Sequence, residues 1–212
     1  MTSHTFPFDI DAIDPSRNGG YGLLIRHGKR EPITRKVGML EAQLTAEGRT
    51  ESRALGRRLR ELSPNLFCSS PVQRCIDTNC CILEGLGMDK ETARQRVVYD
   101  LILAEGFMAD PAAGKEAFRR QDPEQLILDY LAGKPVPGFC SVEEGAVRLL
   151  NFVRDALRPG TLSVFVTHDA LVMPFRQHFL GDTYSRDRWA PPLGGCVIYT
   201  EGDRTWIDGR AV

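Results

Sequence analysis

The sequence has no uninterrupted apolar stretch approaching the ~18 residues that a membrane-spanning helix needs, so no span is predicted. Its first ten residues, Met1 to Ile10, carry no basic start and no continuous apolar run. That argues against a signal peptide and sets the expectation of a cytoplasmic protein with no membrane partner. An excess of charge of either sign is also missing: 27 Lys and Arg stand against 28 Asp and Glu, a formal net charge of −1. No global field favours nucleic acid, and any anion site must arise from local clustering. The 6 cysteines contain no C-x-x-C pair, and Cys75, Cys80 and Cys81 fall within one predicted helix. Reduced thiols packed as small apolar groups are therefore expected, rather than zinc ligands or disulfides. Internal repeats, heptad runs and low-complexity tracts are absent, and 212 residues suit one sizeable α/β domain over 1–212.

What is present is a series of apolar runs that stop abruptly at chemistry-bearing residues. Tyr21 to Ile25 reads as a strand ending in Arg26-His27-Gly28, with Arg30 three residues beyond the histidine. A histidine set among arginines suits a group that attacks phosphorus while the arginines hold the phosphoryl oxygens. The same cations disfavour imidazolium and keep His27 neutral. Lys29, Arg30, Arg35 and Lys36 against Glu31 and Glu41 make the following loop, 29–44, a locally basic lip.

Residues 1–20 read as an irregular lead-in that holds His4, to which no role is assigned. Thr45 is placed to cap a helix over about 46–62, with Ala54, Leu55, Leu59 and Leu62 as its apolar stripe. A second strand is expected over 65–69. Ser70-Pro71 then reads as the N-cap and first position of a helix that stops at Gly87. Arg74 falls in its first turn, where free N–H groups already favour an anion. A third strand is expected over 97–103. Glycine and proline punctuate 105–140 around two short helical pieces, about 112–121 and 123–132, which read as an insertion over the sheet edge that shapes the substrate pocket. Its six acidic residues against four basic ones disfavour a highly phosphorylated polyanion as substrate. Ser141-Val142-Glu143-Glu144 is a capping box opening an amphipathic helix. Leu162 to Thr167 is the clearest central strand, ending in His168-Asp169 before a helix to about Leu180. His178, inside that helix, is taken as a packing or surface residue. Two final strands, 195–200 and 205–207, follow. Strand and helix alternate, so the ends carrying Arg26, His27, Arg74, His168 and Asp169 should gather on one edge of a mostly parallel sheet.

Several segments together resemble the histidine phosphatase superfamily, the phosphoglycerate mutase-like or histidine acid phosphatase fold. They are Arg26-His27-Gly28, Leu44-Thr45-Ala46-Glu47-Gly48 followed by Leu55-Gly56, Ser69-Ser70-Pro71-Val72-Gln73-Arg74 with Thr78, and Thr167-His168-Asp169. The resemblance implies a three-layer α/β/α architecture with the small helical insertion at the active-site edge. It implies phosphatase activity on a small phosphorylated molecule, transient phosphorylation of His27, phosphoryl binding by Arg26, Arg30, Arg74 and His168, and no cofactor or metal. Two details match the acid-phosphatase branch, R-H-G-x-R-x-P at Arg26–Pro32 and His168-Asp169, which implies Asp169 as proton donor. The chain nevertheless has the compact length of the mutase branch, in which a glutamate near the third strand is the acid. Glu105 is the candidate for that role. A phosphomutase, a silent phosphoryl-binding module, and a metal-dependent phosphohydrolase built on His168-Asp169 are the alternatives. The last would need further His and Asp ligands on helices, whereas this pair ends a strand.

Overall fold

The computed structural model describes residues 8, 10–14, 19–33, 38 and 40–212. His4, Arg35 and Lys36 and most of the lead-in lie outside the described residues. Within that lead-in Ile10–Ala12 makes one 3-10 turn, and Phe8, Ile10 and Ile13 pack into the core.

The strands are β1 (Gly20–Arg26), β2 (Leu66–Ser69), β3 (Val97–Tyr99), β4 (Leu162–Thr167), β5 (Gly195–Glu201), β6 (Arg204–Ile207) and β7 (Arg210–Ala211). They form one sheet in the order β3-β2-β4-β1-β5-β6-β7. β3, β2, β4 and β1 run parallel, and β5, β6 and β7 continue the sheet antiparallel. The helices are α1 (Ala46–Leu59), α2 (Gln73–Leu86), α3 (Lys90–Arg96), α4 (Ile102–Glu105), α5 (Pro111–Arg120), α6 (Pro123–Leu131), α7 (Val142–Ala156) and α8 (Asp169–Leu180).

Period-two alternation along the central strands builds the layers. Leu23 and Ile25 of β1, with Val164 and Val166 of β4, pack on Leu55, Leu59, Ile82 and Leu83 of α1 and α2. Leu24 and Phe165 face the other way, onto Leu149 and Val153 of α7 and Leu171 and Phe175 of α8. Both faces are covered, so every residue of β4 is buried, Ser163 and Thr167 included, and the strand is mostly apolar rather than alternating. Among the described residues no helix is long and apolar enough to cross a membrane.

Some boundaries differ from expectation for local reasons. The helix from Ala46 tightens into a 3-10 turn at Arg60–Leu62 and stops where Ser63 adopts φ 45°. β3 ends at Tyr99 rather than Leu103, because Asp100 accepts the Ile102 N–H at 2.9 Å and starts α4. Proline at the first turn of α5 and α6, with Asp110 and Asp122 as caps, sets those two helices as expected. The six cysteines are free thiols, and all but Cys140 are buried.

Candidate active site

Parallel pairing puts three strand ends at one level. Arg26 lies opposite Thr167, and Ser69 opposite Val166, so His27, Ser70 and His168 leave the sheet side by side. The loop that carries His27 is then locked from below. Gly28 N–H donates to Thr78 Oγ1 at 3.0 Å, and the Lys29 carbonyl presses against the first turn of α1, where a Cβ on Gly48 would lie 2.2 Å from the Lys29 oxygen. Thr45 Oγ1 accepts the Gly48 N–H at 3.0 Å, which fixes that first turn. The glycines of the R-H-G and L-T-x-x-G segments are thus two halves of one close backbone contact.

His27 is 2 % exposed. Its Nδ1 lies 2.8 Å from the Gly28 carbonyl, which can only accept, so the proton resides on Nδ1. Its Nε2 accepts from Arg74 Nε at 2.9 Å. Arg74, in the first turn of α2 and 5 % exposed, also donates through Nη2 to His168 Nδ1 at 3.1 Å. His168 Nε2 therefore carries its proton and donates to Ser70 Oγ at 2.8 Å. The two imidazole centroids are 5.6 Å apart.

Burial, ahead of His168, Arg74 and Arg26, pushes His27 well below the usual histidine range, opposed by Asp169. The neutrality read from the sequence thus holds, but desolvation rather than neighbouring cations is its main cause. Burial and then Arg74 lower His168 to about 3. Both rings are neutral near pH 7. Burial likewise lowers Arg74 and Arg30 from the ordinary arginine value.

Arg26 pairs through Nη2 with Asp169 Oδ2 at 2.8 Å and donates through Nη1 to the Ala190 carbonyl at 2.5 Å. Its Nε is buried with no hydrogen-bond partner among the described residues. Asp169 also accepts from Trp189 Nε1 at 2.9 Å. Burial raises its carboxyl, but Arg26, His27, the Trp189 hydrogen bond and His168 together hold it well below the usual carboxylate range. Glu105 sits at the end of α4 and pairs with Lys115 Nζ at 2.5 Å. It is brought near because Thr167 Oγ1 donates to the Leu103 carbonyl at 2.6 Å, tying the end of β4 to α4.

All seven residues singled out in the sequence, Arg26, His27, Arg30, Arg74, Glu105, His168 and Asp169, line one cavity of about 740 Å³. Its chemistry is that of an anion cradle with two neutral imidazoles. Among the described residues no group of three or more His, Cys, Asp or Glu side chains could hold a metal ion.

Sequence reasoning missed two members. Ser70 was expected to cap α2, but the helix begins at Gln73 with Val72 as its cap residue; the Ser70 hydroxyl accepts the Val72 N–H at 3.3 Å and also accepts from His168. Trp189 lies in an irregular stretch twenty residues from Asp169, and no local pattern marks it.

The family model described as the histidine phosphatase superfamily (branch 1) matches residues 23–207. No curated protein matches the sequence significantly. Among solved structures, a phosphoglycerate mutase from Bacillus anthracis str. Sterne aligns with a TM-score of 0.57 at 15% identity, covering 93% of this chain and 92% of that one. A mycobacterial glucosyl-3-phosphoglycerate phosphatase in its native form aligns with a TM-score of 0.56 at 18% identity, covering 91% of this chain and 98% of that one. The same mycobacterial phosphatase in complex with VO3 gives 0.56 at 20% identity, covering 90% and 98%. At such identities the likeness is one of fold: a mostly parallel sheet between helical layers.

Proposed function

Because the chain belongs to the histidine phosphatase superfamily, we propose that it is a phosphomonoesterase that takes the phosphoryl group of a small ester onto His27 and passes it to water. The observation that carries this reading is the pair of contacts on the His27 ring. Nδ1–H is committed to the Gly28 carbonyl, which leaves the Nε2 lone pair directed into the arginine and histidine cluster. In the free protein Arg74 Nε occupies that lone pair. An incoming phosphoryl group would draw the guanidinium onto its oxygens and release Nε2 for attack.

In the first step Nε2 bonds to phosphorus while the P–O bond to the leaving group breaks, and the leaving oxygen takes a proton from a carboxyl group. In the second, water attacks the phosphohistidine, its proton returns to that carboxylate, and the P–N bond breaks to free His27. Arg26, Arg30, Arg74 and His168 are placed to stabilise the equatorial oxygens, where most phosphoryl-transfer catalysis is achieved by positioning and charge. No metal enters these steps.

For the proton donor, the contacts of the two candidate carboxyl groups favour Glu105 over Asp169 in this reading. Asp169 is bound to Arg26 and Trp189 and is held as a carboxylate, which makes it an anchor for Arg26 and a poor acid. Glu105 lines the same cavity, and its ion pair is with Lys115 rather than with the guanidinium cluster. Glu105 is therefore the donor in this reading.

Rapid-quench experiments with a labelled phosphate ester test the first step. An acid-labile phosphoenzyme should form in the wild type and be absent in His27→Ala; a phosphoenzyme that survives the substitution overturns it. The donor is tested with alkyl and nitrophenyl esters. Glu105→Gln should cost about 10²–10⁴ on the alkyl ester, whose leaving group needs a proton, and far less on the nitrophenyl ester. The same contrast in Asp169→Asn, with Glu105→Gln unaffected, would return the role to Asp169.

A further inference from the structure

Beyond the phosphoryl cluster the cavity changes character. Its outer wall is built by Leu101, Met108, Phe118, Ile127, Phe139 and Trp189, with the ring centroids of Phe118 and Phe139 5.8 Å apart. Leu101 is 60% exposed, an apolar side chain at the rim where the cavity opens. The charged groups on the same wall are engaged with one another: Lys115 pairs with Glu105, Arg119 shares Glu116 with Arg120, and Glu124 pairs with Arg186. The amide nitrogen of Gln73 is committed to Asp77 at 2.6 Å. Glu41 adds a carboxylate to the lining on the loop side.

Such a wall is a poor host for a polyol. Sugar hydroxyls buried against it would exchange water for few partners. An apolar body would gain from burial along its whole length, and about 740 Å³ is within the ~300–1,000 Å³ of sites that enclose ligands of that size.

We infer that the alcohol part of the substrate is apolar: the site takes a phosphomonoester of an alkyl or aryl alcohol, with the phosphoryl group on His27 and the apolar group along α5, α6 and Trp189. This rests on the phosphatase reading for turnover, but binding can be tested without it.

The experiment is a chain-length series of n-alkyl phosphates from ethyl to octyl, with glycerol phosphate and glucose phosphate beside them, scored by phosphate release from the full chain. These alcohols differ little in acidity, so the chemistry is constant and the slope reports burial. The value of kcat/KM should rise about three- to fourfold per methylene until the cavity is filled, with the polyol phosphates at or below ethyl phosphate. A flat or falling series, or polyol phosphates faster than octyl phosphate, overturns the inference. Calorimetric binding of ethyl and octyl phosphonate, which cannot turn over, separates the two readings. Length-dependent binding without turnover defeats the phosphatase reading alone, whereas length-independent binding defeats this inference. Phe118→Ser and the rim substitution Leu101→Ser should both flatten the slope; retention of the full slope in both variants also refutes it.

Discussion

His168 offers a perturbation whose size follows from the structure. Its ring is 8 % exposed, accepts from Arg74 and donates to Ser70, and its pKa is lowered to about 3 by burial first and Arg74 second. An unfolded chain returns it to the ordinary histidine value of about 6.5. The folded pKa is the lower of the two, so below 6.5 the unfolded state binds a proton that the folded state refuses. Stability is therefore present above that value and is lost as pH falls towards 3. Between pH 8 and pH 5 the unfolded imidazole takes up nearly a full proton while the folded one stays neutral, which costs about 2 kcal/mol. His27 acts in the same direction. Urea unfolding followed by circular dichroism at pH 8, 7, 6 and 5 measures the loss in the wild type and in His168→Gln. The variant loses its hydrogen bonds at every pH, a constant offset, but it has no imidazole to titrate. The wild type should lose about 2 kcal/mol more than His168→Gln across that window. Two parallel profiles would refute the assignment of a neutral buried ring.

Arg74→Lys keeps a charge but loses the fork that reaches both imidazoles, so kcat for phosphate release should fall about 10²–10³; an unchanged kcat would remove Arg74 from the phosphoryl cradle. Gly48→Ala drives a Cβ into the Lys29 carbonyl, and overpacking of that kind should cost about 1–3 kcal/mol. Thermal unfolding at the wild-type temperature would show that the two backbones do not need this approach. Ser141→Ala removes the acceptor of the Glu144 N–H at the start of α7 and should cost about 1 kcal/mol, with phosphate-release kinetics unaltered. Chemical denaturation checks the cost, and a loss below a few tenths of that would mean the cap is not holding the helix.

The elements that could be read from the sequence are those whose signals are local. β4 is mostly apolar because both its faces are buried, and α7 announces itself through Ser141 and a 3.6-residue stripe of Ala146, Leu149, Leu150 and Val153. The convergence of Arg26, His27, Arg74 and His168 was legible for a topological reason: parallel strands put their carboxyl ends on one edge whatever the loops do. α3 was not legible, since Lys90–Arg96 has no apolar face and buries only Ala93. Its one signal is Asp89, which accepts the Glu91 and Thr92 N–H groups at 3.1 Å each. Asp100, which cuts the apolar run of 97–103 in two, shows how one carboxylate near a backbone N–H overrides β-propensity. The proton donor was hidden in a different way. Asp169 and Glu105 are both plausible from motif alone, and only tertiary contacts reveal that one of them is ion-paired to Arg26.

In the proposed reading, that ion pair also bears on how a chain with a formal net charge of −1 would hold a phosphoryl dianion. Arg26, Arg30 and Arg74 contribute three positive charges and Asp169 one negative, and these four groups are within electrostatic reach of one another. The cluster carries a formal +2, matched by a dianion. Protonating both imidazoles would raise it to +4 in a buried setting, which burial and the guanidinium groups oppose by keeping the rings neutral. The same neutrality that supplies a lone pair on His27 thus sets the charge of the cradle to that of one phosphoryl group. In the proposed reading a cradle of that charge suits a single phosphoryl group, and selection among monoesters would fall to the apolar wall formed by α5, α6 and Trp189.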